Sequence, residues 1–349
     1  MFKASIIGGT GYGGAELCRQ LLQHPQVELT RVCAIDNVGR NLGEVHYNLA
    51  GHTDLTFENL PPEEAVAGVD VCFLGLPHKV SADIAPDLIG LGAKIIDLSG
   101  DFRLRDAEVY ARYYHRAHPR PDLLGSFAYG LPELNREAIA AATEIASPGC
   151  FATAITVGLL PFARAGLLTE KVRTVACTGS SGSGAYAKAG THHPLRAGNL
   201  KIYRPLDHQH RPEIEQTLRD AGAAPSFHLD FVPVSAPLVR GILANSIFDV
   251  PAEFDEDAVA QLYHDAYGHQ PFVKVISGRF PEVVAVAGTN YAEVGFSVGP
   301  ARDGLRTVVA VCAIDNLVKG GAGQAVQSMN ITLGLEEDAG LAGYMGIWP

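Results

Sequence analysis

The stretch FKASIIGGTGYGGAEL, residues 2–17, opens the chain with its strongest structural signal. Its first six residues are mostly apolar and predict a short buried strand. Gly8, Gly11 and Gly14 follow with the spacing GxxGxxG, directly before a helical pattern. Glycines at such a junction let a pyrophosphate approach backbone N–H groups at the positive end of the helix dipole. The stretch therefore predicts a dinucleotide-binding loop, with a ligand-free glycine turn as the alternative.

Strand and helix signals alternate through the first part of the chain. Further apolar, strand-like runs lie at 27–34, 69–75 and 93–98, and a helical pattern occupies 80–91. Alternation of this kind predicts βαβ units with parallel strands. We therefore expect an α/β domain with a doubly wound sheet of the Rossmann type.

The pattern changes after Cys150. Strand-like segments become longer and helical ones sparser, which indicates an α+β domain with a mostly antiparallel sheet. The expected strands are 171–178, 226–235, 240–249, 271–277 and 291–298, and the expected helices are 151–163, 211–221 and 254–267.

Composition restricts the class of protein. A chain of 349 residues is too long for one ordinary core, so two domains are expected. The formal net charge of −11 argues against nucleic-acid binding, which needs a basic face. The six cysteines contain no CxxC pair and most lie in apolar runs, so we expect reduced thiols. Without a signal-peptide pattern or a membrane-spanning apolar run, we expect a cytoplasmic protein with no membrane attachment.

Cys150 lies in ASPGCFATAITVGLLPF, residues 146–162, at a turn where burial of a small apolar side chain would add little stability. The pair Pro148 and Gly149 stops the preceding segment, and the residues after the cysteine can begin a helix. A helix N-terminus stabilises a thiolate through the dipole and the unsatisfied N–H groups. Near a nicotinamide, such a cysteine indicates acyl transfer and hydride reduction, with a buried structural thiol as the alternative.

Two histidines, His208 and His210, follow closely in YRPLDHQHRPE, residues 203–213. The pKa of imidazole suits proton transfer near neutral pH, so either histidine is a candidate acid/base. With His192 and His193 they form an alternative zinc set, but zinc sites usually show cleaner spacing and a thiolate or carboxylate partner. We expect no metal.

A second small-residue loop, Gly179–Gly184, follows an apolar strand. Such a loop can present several N–H groups to a phosphate or leave room for a ring. The alternative is a flexible turn.

The end of the second strand bears on the choice of coenzyme. A carboxylate at this place usually accepts hydrogen bonds from a ribose 2′-hydroxyl and favours NAD, whereas a nearby arginine favours NADP. Here Asp36 points to NAD and Arg40 to NADP. The loop geometry decides between them.

Taken together, these stretches resemble the N-acetyl-gamma-glutamyl-phosphate reductase family, relatives of aspartate-semialdehyde dehydrogenase. SPGCFATA, the HxHxPEI pattern and DNLVKGGAGQA are the specific motifs. The matching runs span nearly the whole chain in the family's order: IIGGTGYGGAEL, LGLPHKVSADIAP, IIDLSGDFRL, YGLPELNRE, SPGCFATA, TGSSGSGA, HQHRPEIEQ, VRGIL and AIDNLVKGGAGQAVQSMN.

The resemblance implies a fold, a reaction and partners. It implies a dinucleotide-binding domain of residues 1–149 with 316–349, and a catalytic and dimerisation domain of residues 150–315. The implied reaction converts an acyl phosphate and NADPH into a semialdehyde, phosphate and NADP, as in arginine biosynthesis. The implied partners are a small acyl phosphate and further copies of the chain, as a homodimer or homotetramer.

The resemblance also implies roles for individual residues. Cys150 is expected to be the nucleophile, and His210, or alternatively His208, the acid/base. Arg103, Tyr203, Arg240 and Ser181 are expected at the substrate. The residues expected to bind the cofactor are Gly8, Thr10, Gly11, Tyr12, Gly13, Gly14, Asp36, Arg40, Ser99, Gly182 and Asn316.

Two departures from the family's pattern keep alternatives open. Relatives often carry serine and arginine where this chain has Ile35 and Asp36, which leaves NAD possible beside NADP. The common PGCYPT form is replaced by Phe151 and Ala152 after the cysteine, and this resembles the branch that reduces aminoadipyl phosphate on a small acidic carrier protein in lysine biosynthesis. A non-catalytic dinucleotide sensor is the alternative from another class.

Overall fold

The computed structural model describes residues 1–346, and internal contacts divide the chain into two units. The first unit contains Met1–Gly149, Gly184–Tyr186 and Gly321–Tyr344. The second contains Cys150–Ser183 and Ala187–Gly320, with Met345 and Gly346. Asn316, which the sequence analysis places with the first domain, lies in the second unit. Residues 347–349 of that predicted segment lie outside the described residues.

The strands of the described chain are β1 (Phe2–Ile7), β2 (Val27–Cys33), β3 (Phe57–Glu58), β4 (Val71–Leu74), β5 (Lys94–Asp97), β6 (Ala128–Tyr129), β7 (Glu144–Ala146), β8 (Lys171–Thr178), β9 (Lys201–Ile202), β10 (His228–Ser235), β11 (Ile242–Pro251), β12 (Val273–Val275), β13 (Ala292–Val298) and β14 (Leu305–Ile314).

The α-helices are α1 (Tyr12–Leu21), α2 (Leu42–Val45), α3 (Pro62–Val66), α4 (Ser81–Leu88), α5 (Ala107–Tyr114), α6 (Pro132–Ala141), α7 (Cys150–Arg164), α8 (His193–Arg196), α9 (His210–Asp220), α10 (Glu256–Tyr267), α11 (Val283–Val286) and α12 (Gly323–Thr332). Shorter 3₁₀ turns occupy Tyr47–Leu49, Pro121–Leu123, Ser180–Ser183 and Ala189–Thr191, and a π-helical turn occupies Val318–Ala322.

The first unit is built on a parallel sheet with the strand order β3-β2-β1-β4-β5-β7-β6. Every pair in this sheet is parallel. The four residues of β4 are all buried, as expected for a strand covered on both faces. The predicted Rossmann domain is therefore confirmed. The strand order reverses between β1 and β4, so the loops after these two strands flank the crevice where such sheets bind ligands.

The second unit is built on a mixed sheet with the order β12-β13-β14-β11-β8-β10-β9. Four of its pairs are antiparallel, and the β12–β13 and β8–β10 pairs are parallel, so the predicted mostly antiparallel sheet is confirmed. Helices α7, α9 and α10 pack on one face. Helix α7 is buried from Phe151 to Ala163, and this places its first residue, Cys150, at the end of a rigid central element.

The opposite face of the second sheet stays open within this unit. Along β8, Val172, Thr174 and Ala176 are buried against the helices, whereas the alternate residues Lys171 and Arg173 are exposed. This period-two pattern is the mark of a sheet with one covered face. No helix in the described part of the chain has the length and apolar character needed to cross a membrane.

Candidate active site

Cys150 and Cys177 are partly exposed, whereas the other four cysteines are buried. Cys150 is the first residue of α7, and the first turn of that helix carries no acidic residue. In contrast, burial raises the pKa of the Cys18 and Cys72 thiols to about 12, which keeps them protonated. A partly exposed thiol at a helix N-terminus has the setting of a reactive cysteine.

Gly320 packs directly against Cys150. A Cβ atom on Gly320 would lie 2.8 Å from the Cβ of Cys150, a separation that real Cβ atoms essentially never show. The backbone N–H of Gly320 donates a hydrogen bond to the carbonyl of Asp315 at 2.9 Å, which holds the glycine in place. The turn after β14 therefore forms one wall beside the thiol, and only glycine fits there.

The two candidate histidines meet around the ring next to Cys150. His208 and His210 are both buried, with ring centroids 4.8 Å apart. The ring of Phe151 packs edge to face against both, at 5.4 Å from His208 and 6.1 Å from His210. The structure thus brings Cys150, His208 and His210 together, because α7 and α9 begin at the same side of the second unit.

Tyr203 and Arg196 extend this cluster. Burial and then the charge of Cys150 raise the pKa of Tyr203, while Arg196 opposes the rise. Burial lowers the pKa of the Arg196 guanidinium, which donates to the carbonyl of Thr178 at 3.1 Å. A half-buried guanidinium in this position is a ready partner for an anionic group at the thiol.

Arg240 is oriented by Asp315, whose side chain is fully buried. Asp315 Oδ2 accepts from Arg240 Nη1 at 3.5 Å and from the N–H of Gly288 at 2.7 Å. Its other oxygen, Oδ1, accepts the N–H groups of Leu317 and Val318. Asp315 therefore fixes both Arg240 and the turn that leads to Gly320.

Asn316 braces the small-residue loop after β8. Its Nδ2 donates to Ser181 Oγ at 3.0 Å, and its Oδ1 accepts from the N–H of Gly241 at 2.7 Å. The N–H groups of the first three loop residues bond to carbonyls of residues 238–241. This loop is thus held by the second unit itself, and Gly182 lies within its 3₁₀ turn, Ser180–Ser183.

The glycine loop of the first unit has room for a ligand where one is expected. Gly8 has a φ of +95°, and Cβ atoms on Gly8 and Gly14 would meet backbone at 2.6 Å and 2.5 Å. Cβ atoms on Gly11 and Gly13 would instead meet nothing within 4 Å. The first and last glycines permit the close turn, and the open space at the N-terminus of α1 fits a dinucleotide pyrophosphate. A bound nicotinamide dinucleotide would be held by this loop.

The end of β2 places Asp36 and Arg40 in separate networks. Asp36 accepts from the hydroxyls of Thr10 at 2.8 Å and Tyr186 at 3.3 Å. Arg40 donates to Asn37 at 3.0 Å and pairs with Glu44 at 3.3 Å. The carboxylate is attached to the glycine loop itself, whereas the arginine is part of an exposed ion pair.

Arg103 and Ser99 make internal hydrogen bonds in the loop after β5. Arg103 Nε and Nη2 donate to the carbonyls of Ser147 and Leu98 at 2.7 and 2.8 Å. Ser99 Oγ donates to the buried carboxylate of Asp97 at 2.7 Å. In this structure both side chains fasten loops at the carboxyl edge of the first sheet. Among residues 1–346, no group of three or more His, Cys, Asp or Glu side chains is placed to hold a metal ion.

Comparison with known proteins gives the family. Residues 3–142 match the model of the semialdehyde dehydrogenase NAD-binding domain, and residues 150–316 match that of the semialdehyde dehydrogenase dimerisation domain. The chain belongs to the semialdehyde dehydrogenase family. It is thus an oxidoreductase of a family that binds a nicotinamide dinucleotide, and this places it among enzymes rather than non-catalytic sensors.

Two curated relatives cover nearly the whole chain. A protein of Thermomicrobium roseum, provisionally named LysW-L-2-aminoadipate 6-phosphate reductase, is 45% identical over 99% of both chains. An N-acetyl-gamma-glutamyl-phosphate reductase of Acidithiobacillus ferrooxidans is 43% identical over 98% of both chains. The resemblance to the family that the motifs indicate is therefore confirmed. The chain is similar to named members of both branches.

A solved structure agrees with the fold. Aspartate semialdehyde dehydrogenase II of Vibrio cholerae superposes with a TM-score of 0.69 at 19% identity, over 95% of this chain and 98% of that one. At this identity the likeness supports the semialdehyde dehydrogenase fold and no more.

Three residues near the thiol were not singled out for catalysis from the sequence: Gly320, Asp315 and Arg196. Gly320 and Asp315 lie in the run AIDNLVKGGAGQ, whose aspartate and glycines were the available signal. Arg196 lies in a polar segment with several other basic residues, and nothing in the sequence distinguishes it from them.

Proposed function

We propose that this protein reduces an acyl phosphate to a semialdehyde through a thioester on Cys150. The observation that carries the proposal is the partly exposed Cys150 at the start of α7, with His208 and His210 packed against its neighbour Phe151. Nucleophile and acid/base candidates then lie at one place on rigid elements, as covalent catalysis requires.

The proposed steps use these side chains in order. The Cys150 thiolate attacks the acyl carbon, the C–O bond to phosphate breaks, and phosphate leaves with the bonding electrons. A nicotinamide dinucleotide held by the loop from Gly8 to Gly14 would supply the hydride that reduces the thioester. His210 protonates the resulting alkoxide and takes the proton back as the C–S bond breaks, which releases the aldehyde and restores the thiolate. N–H groups at the start of α7 stabilise the oxyanion.

The proposed substrate is N-acetyl-L-glutamyl 5-phosphate, with the semialdehyde serving arginine biosynthesis. The support is the 43% identical reductase of that name together with the HxHxPEI and SPGCFATA motifs. Arg240, oriented by Asp315, is the proposed partner of a substrate carboxylate, and Tyr203 and Ser181 are proposed to contact the substrate. Arg103 is also proposed as a substrate-binding residue.

The second candidate substrate is carrier-protein-linked 2-aminoadipyl 6-phosphate. The observation that favours it is the 45% identity to a protein provisionally named for that activity. The basic residues Arg196, Lys201 and Arg204 beside Tyr203 would suit a small acidic carrier. Both candidates share the acyl phosphate chemistry and differ in what is attached beyond the reacting carbon.

The proposed coenzyme is NADP, bound by the loop from Gly8 to Gly14, and Gly182 is proposed as a further coenzyme contact. Arg40 is exposed, and its surface ion pair with Glu44 is worth about 0–1 kcal/mol, so it can turn to a 2′-phosphate at little cost. Asp36 works in the opposite direction and favours NAD.

The proposed assembly is a homodimer through the open face of the second sheet, or a tetramer built from such dimers. Val175 and Ile247 lie on this face and are 43% and 41% exposed. A sheet face of this kind is normally covered, and the family's name for residues 150–316 is a dimerisation domain.

The experiment is the reverse reaction with each coenzyme. N-acetylglutamate semialdehyde and phosphate are supplied with NADP or NAD, and reduction of the coenzyme is followed in wild type and Cys150→Ser. Phosphate-dependent activity that Cys150→Ser loses supports the proposal. A wild type that binds coenzyme but turns over only carrier-linked aminoadipate semialdehyde would establish the second candidate. Equal activity of Cys150→Ser and wild type would disprove the thioester.

A further inference from the structure

We propose that His46 is a positioning residue of the dinucleotide loop, and that it sets the affinity for the coenzyme through the carbonyl of Gly9. The proposal deepens the proposed function, since it rests on the coenzyme binding at this loop. Nothing in the glycine pattern points to His46, which lies outside every motif discussed above.

The contact is direct. The Nε2 atom of His46 lies 2.9 Å from the carbonyl oxygen of Gly9. A carbonyl oxygen can only accept, so Nε2 carries the hydrogen. The imidazole also packs edge to face against Phe57, with ring centroids 5.7 Å apart. His46 follows α2, whose first turn is capped by Asn41, so the ring is presented by an anchored segment.

Gly9 is enclosed on its other sides. A Cβ on Gly9 would lie 2.2 Å from Val32 Cγ1 and 3.2 Å from Phe57 Cε1, and a Cβ on Gly14 would lie 2.5 Å from the Gly9 oxygen. The N–H of Gly9 donates to the carbonyl of Cys33 at 3.1 Å. The peptide group after Gly9 therefore has little freedom to rotate once His46 holds its oxygen.

Holding this oxygen determines where the next N–H points. The peptide group is planar and trans, so the N–H of Thr10 is directed away from the oxygen that His46 binds. Thr10 is the residue whose hydroxyl bonds to Asp36, and Gly11 follows it at the start of α1. His46 thus orders the turn whose N–H groups are proposed to face the pyrophosphate.

Two substitutions distinguish the hydrogen bond from His46 to the Gly9 carbonyl from a purely structural contribution of His46 to stability. His46→Leu removes the donor but keeps much of the apolar contact with Phe57, whereas the amide of His46→Gln can still donate to Gly9. We expect His46→Leu to weaken NADP and NAD binding roughly three- to tenfold, the effect of one lost hydrogen bond, and His46→Gln to restore most of it. The Michaelis constant for the semialdehyde and the alkylation rate of Cys150 should not change.

The measurement is calorimetric titration of each coenzyme into the intact protein without acyl substrate, with a melting curve for every variant. The matched control is His52→Leu, because His52 is exposed and lies, like His46, between β2 and β3. This variant should bind each coenzyme as wild type does. Unchanged coenzyme affinity in His46→Leu overturns the role of His46 alone. If His46→Leu and His46→Gln weaken coenzyme binding equally and also lower the melting temperature, His46 only stabilises the fold, and this outcome also overturns the proposal. A wild type that binds neither coenzyme overturns the proposed function and this inference together.

Discussion

The Nδ1 atom of His208 accepts a hydrogen bond from the backbone N–H of His210, 3.2 Å away. An acceptor nitrogen carries no proton, so a neutral His208 bears its hydrogen on Nε2. The tautomer of His208 is therefore tied to the geometry of the turn that starts α9. His210 has no such constraint from this contact, because it contributes only its backbone N–H. This asymmetry supports the proposed assignment of proton transfer to His210 rather than His208.

This asymmetry predicts different effects for the two histidines. His210→Asn should lower kcat by roughly 10²- to 10⁴-fold, the usual effect of losing a general acid/base. His208→Asn should cost roughly tenfold, because the asparagine Oδ1 can still accept the N–H of residue 210. Steady-state kinetics with the better coenzyme, at several pH values, measures both. A larger loss in His208→Asn would reverse the assignment of the acid/base.

Gly320→Ala should damage the nucleophile without touching the coenzyme loop. The added methyl would lie 2.8 Å from the Cβ of Cys150 and must displace it. Misplacing a reacting atom by about 1 Å can cost up to 10²-fold, so we expect kcat to fall roughly 10- to 100-fold. The alkylation rate of Cys150 should change, and coenzyme affinity should not.

Gly158→Ala provides the matched control for that experiment. It adds the same methyl within α7, where its nearest neighbour, the Cβ of Cys312, would be 3.4 Å away. Alanine also favours the helix by up to about 1 kcal/mol. Wild-type kinetics in both glycine variants would mean that the turn at Gly320 does not hold the thiol in place.

Arg196→Met should weaken binding of the anionic substrate. Arg196 lies half-buried near Tyr203, and the charge of Cys150 contributes to the raised pKa of Tyr203. Removing the guanidinium should raise the Michaelis constant for phosphate in the reverse reaction roughly tenfold, about 1.4 kcal/mol, with a smaller change in kcat. Lys201→Met removes an equal charge from an exposed neighbour and should have little effect. If the two variants changed the Michaelis constant for phosphate equally, the effect would come from the overall positive charge of this region and not from a direct contact of Arg196 with phosphate.

Much of the fold follows from local patterns, and its exceptions have physical causes. Strand β8 coincides with its predicted segment because one covered face produces a clear alternation. Strand β14 is not among the predicted strands. Its last four residues, VCAI, are all buried and show no alternation, so periodicity alone cannot separate them from a helix core. Helix α5 is also absent from the predicted helices, although Asp106, which caps it by accepting two N–H groups, is a helix start signal in the sequence.

The candidate site is predictable to the extent that its chemistry is local. Cys150 and the histidine pair stand out because residue type and helix position coincide in a few residues. Gly320 and Asp315 do not, because their roles arise from contacts between segments far apart in the chain. Ser99 is the opposite case. It lies in a family motif and is predicted to bind the cofactor, but in this structure its hydroxyl donates a hydrogen bond to the buried Asp97.

Asp36→Ser should shift the coenzyme preference toward NADP. Asp36 is held against the glycine loop by the hydroxyls of Thr10 and Tyr186, so its charge lies close to the expected 2′-position. Removing that charge removes repulsion of a 2′-phosphate, and the ratio of kcat/KM for NADP to that for NAD should rise about tenfold or more. Glu44→Gln, which releases Arg40 from its ion pair, should shift the ratio the same way but less. A ratio that stays constant in both variants would show that the 2′-group lies elsewhere.

Asp97 should make the first unit less stable as the pH rises through the acid range. Burial, only partly offset by hydrogen bonds from Ser81 and Ser99, raises the pKa of this carboxyl from 3.8 to about 6. The folded state therefore holds a proton that the unfolded chain has lost. The contribution of Asp97 is fully present below pH 3.8, declines as the pH rises to about 6, and is then constant.

Asp97→Asn removes this titration and isolates the effect. The unfolding free energy of wild type minus that of Asp97→Asn should fall between pH 4 and pH 7 by up to about 3 kcal/mol, the value of two pKa units. Urea unfolding at several pH values measures the difference, and the exposed Asp54→Asn is the control that should show no such trend. A difference that stays flat across this range would mean that the folded protein accommodates the Asp97 charge without penalty, because the hydrogen bonds from Ser81 and Ser99 fully offset burial.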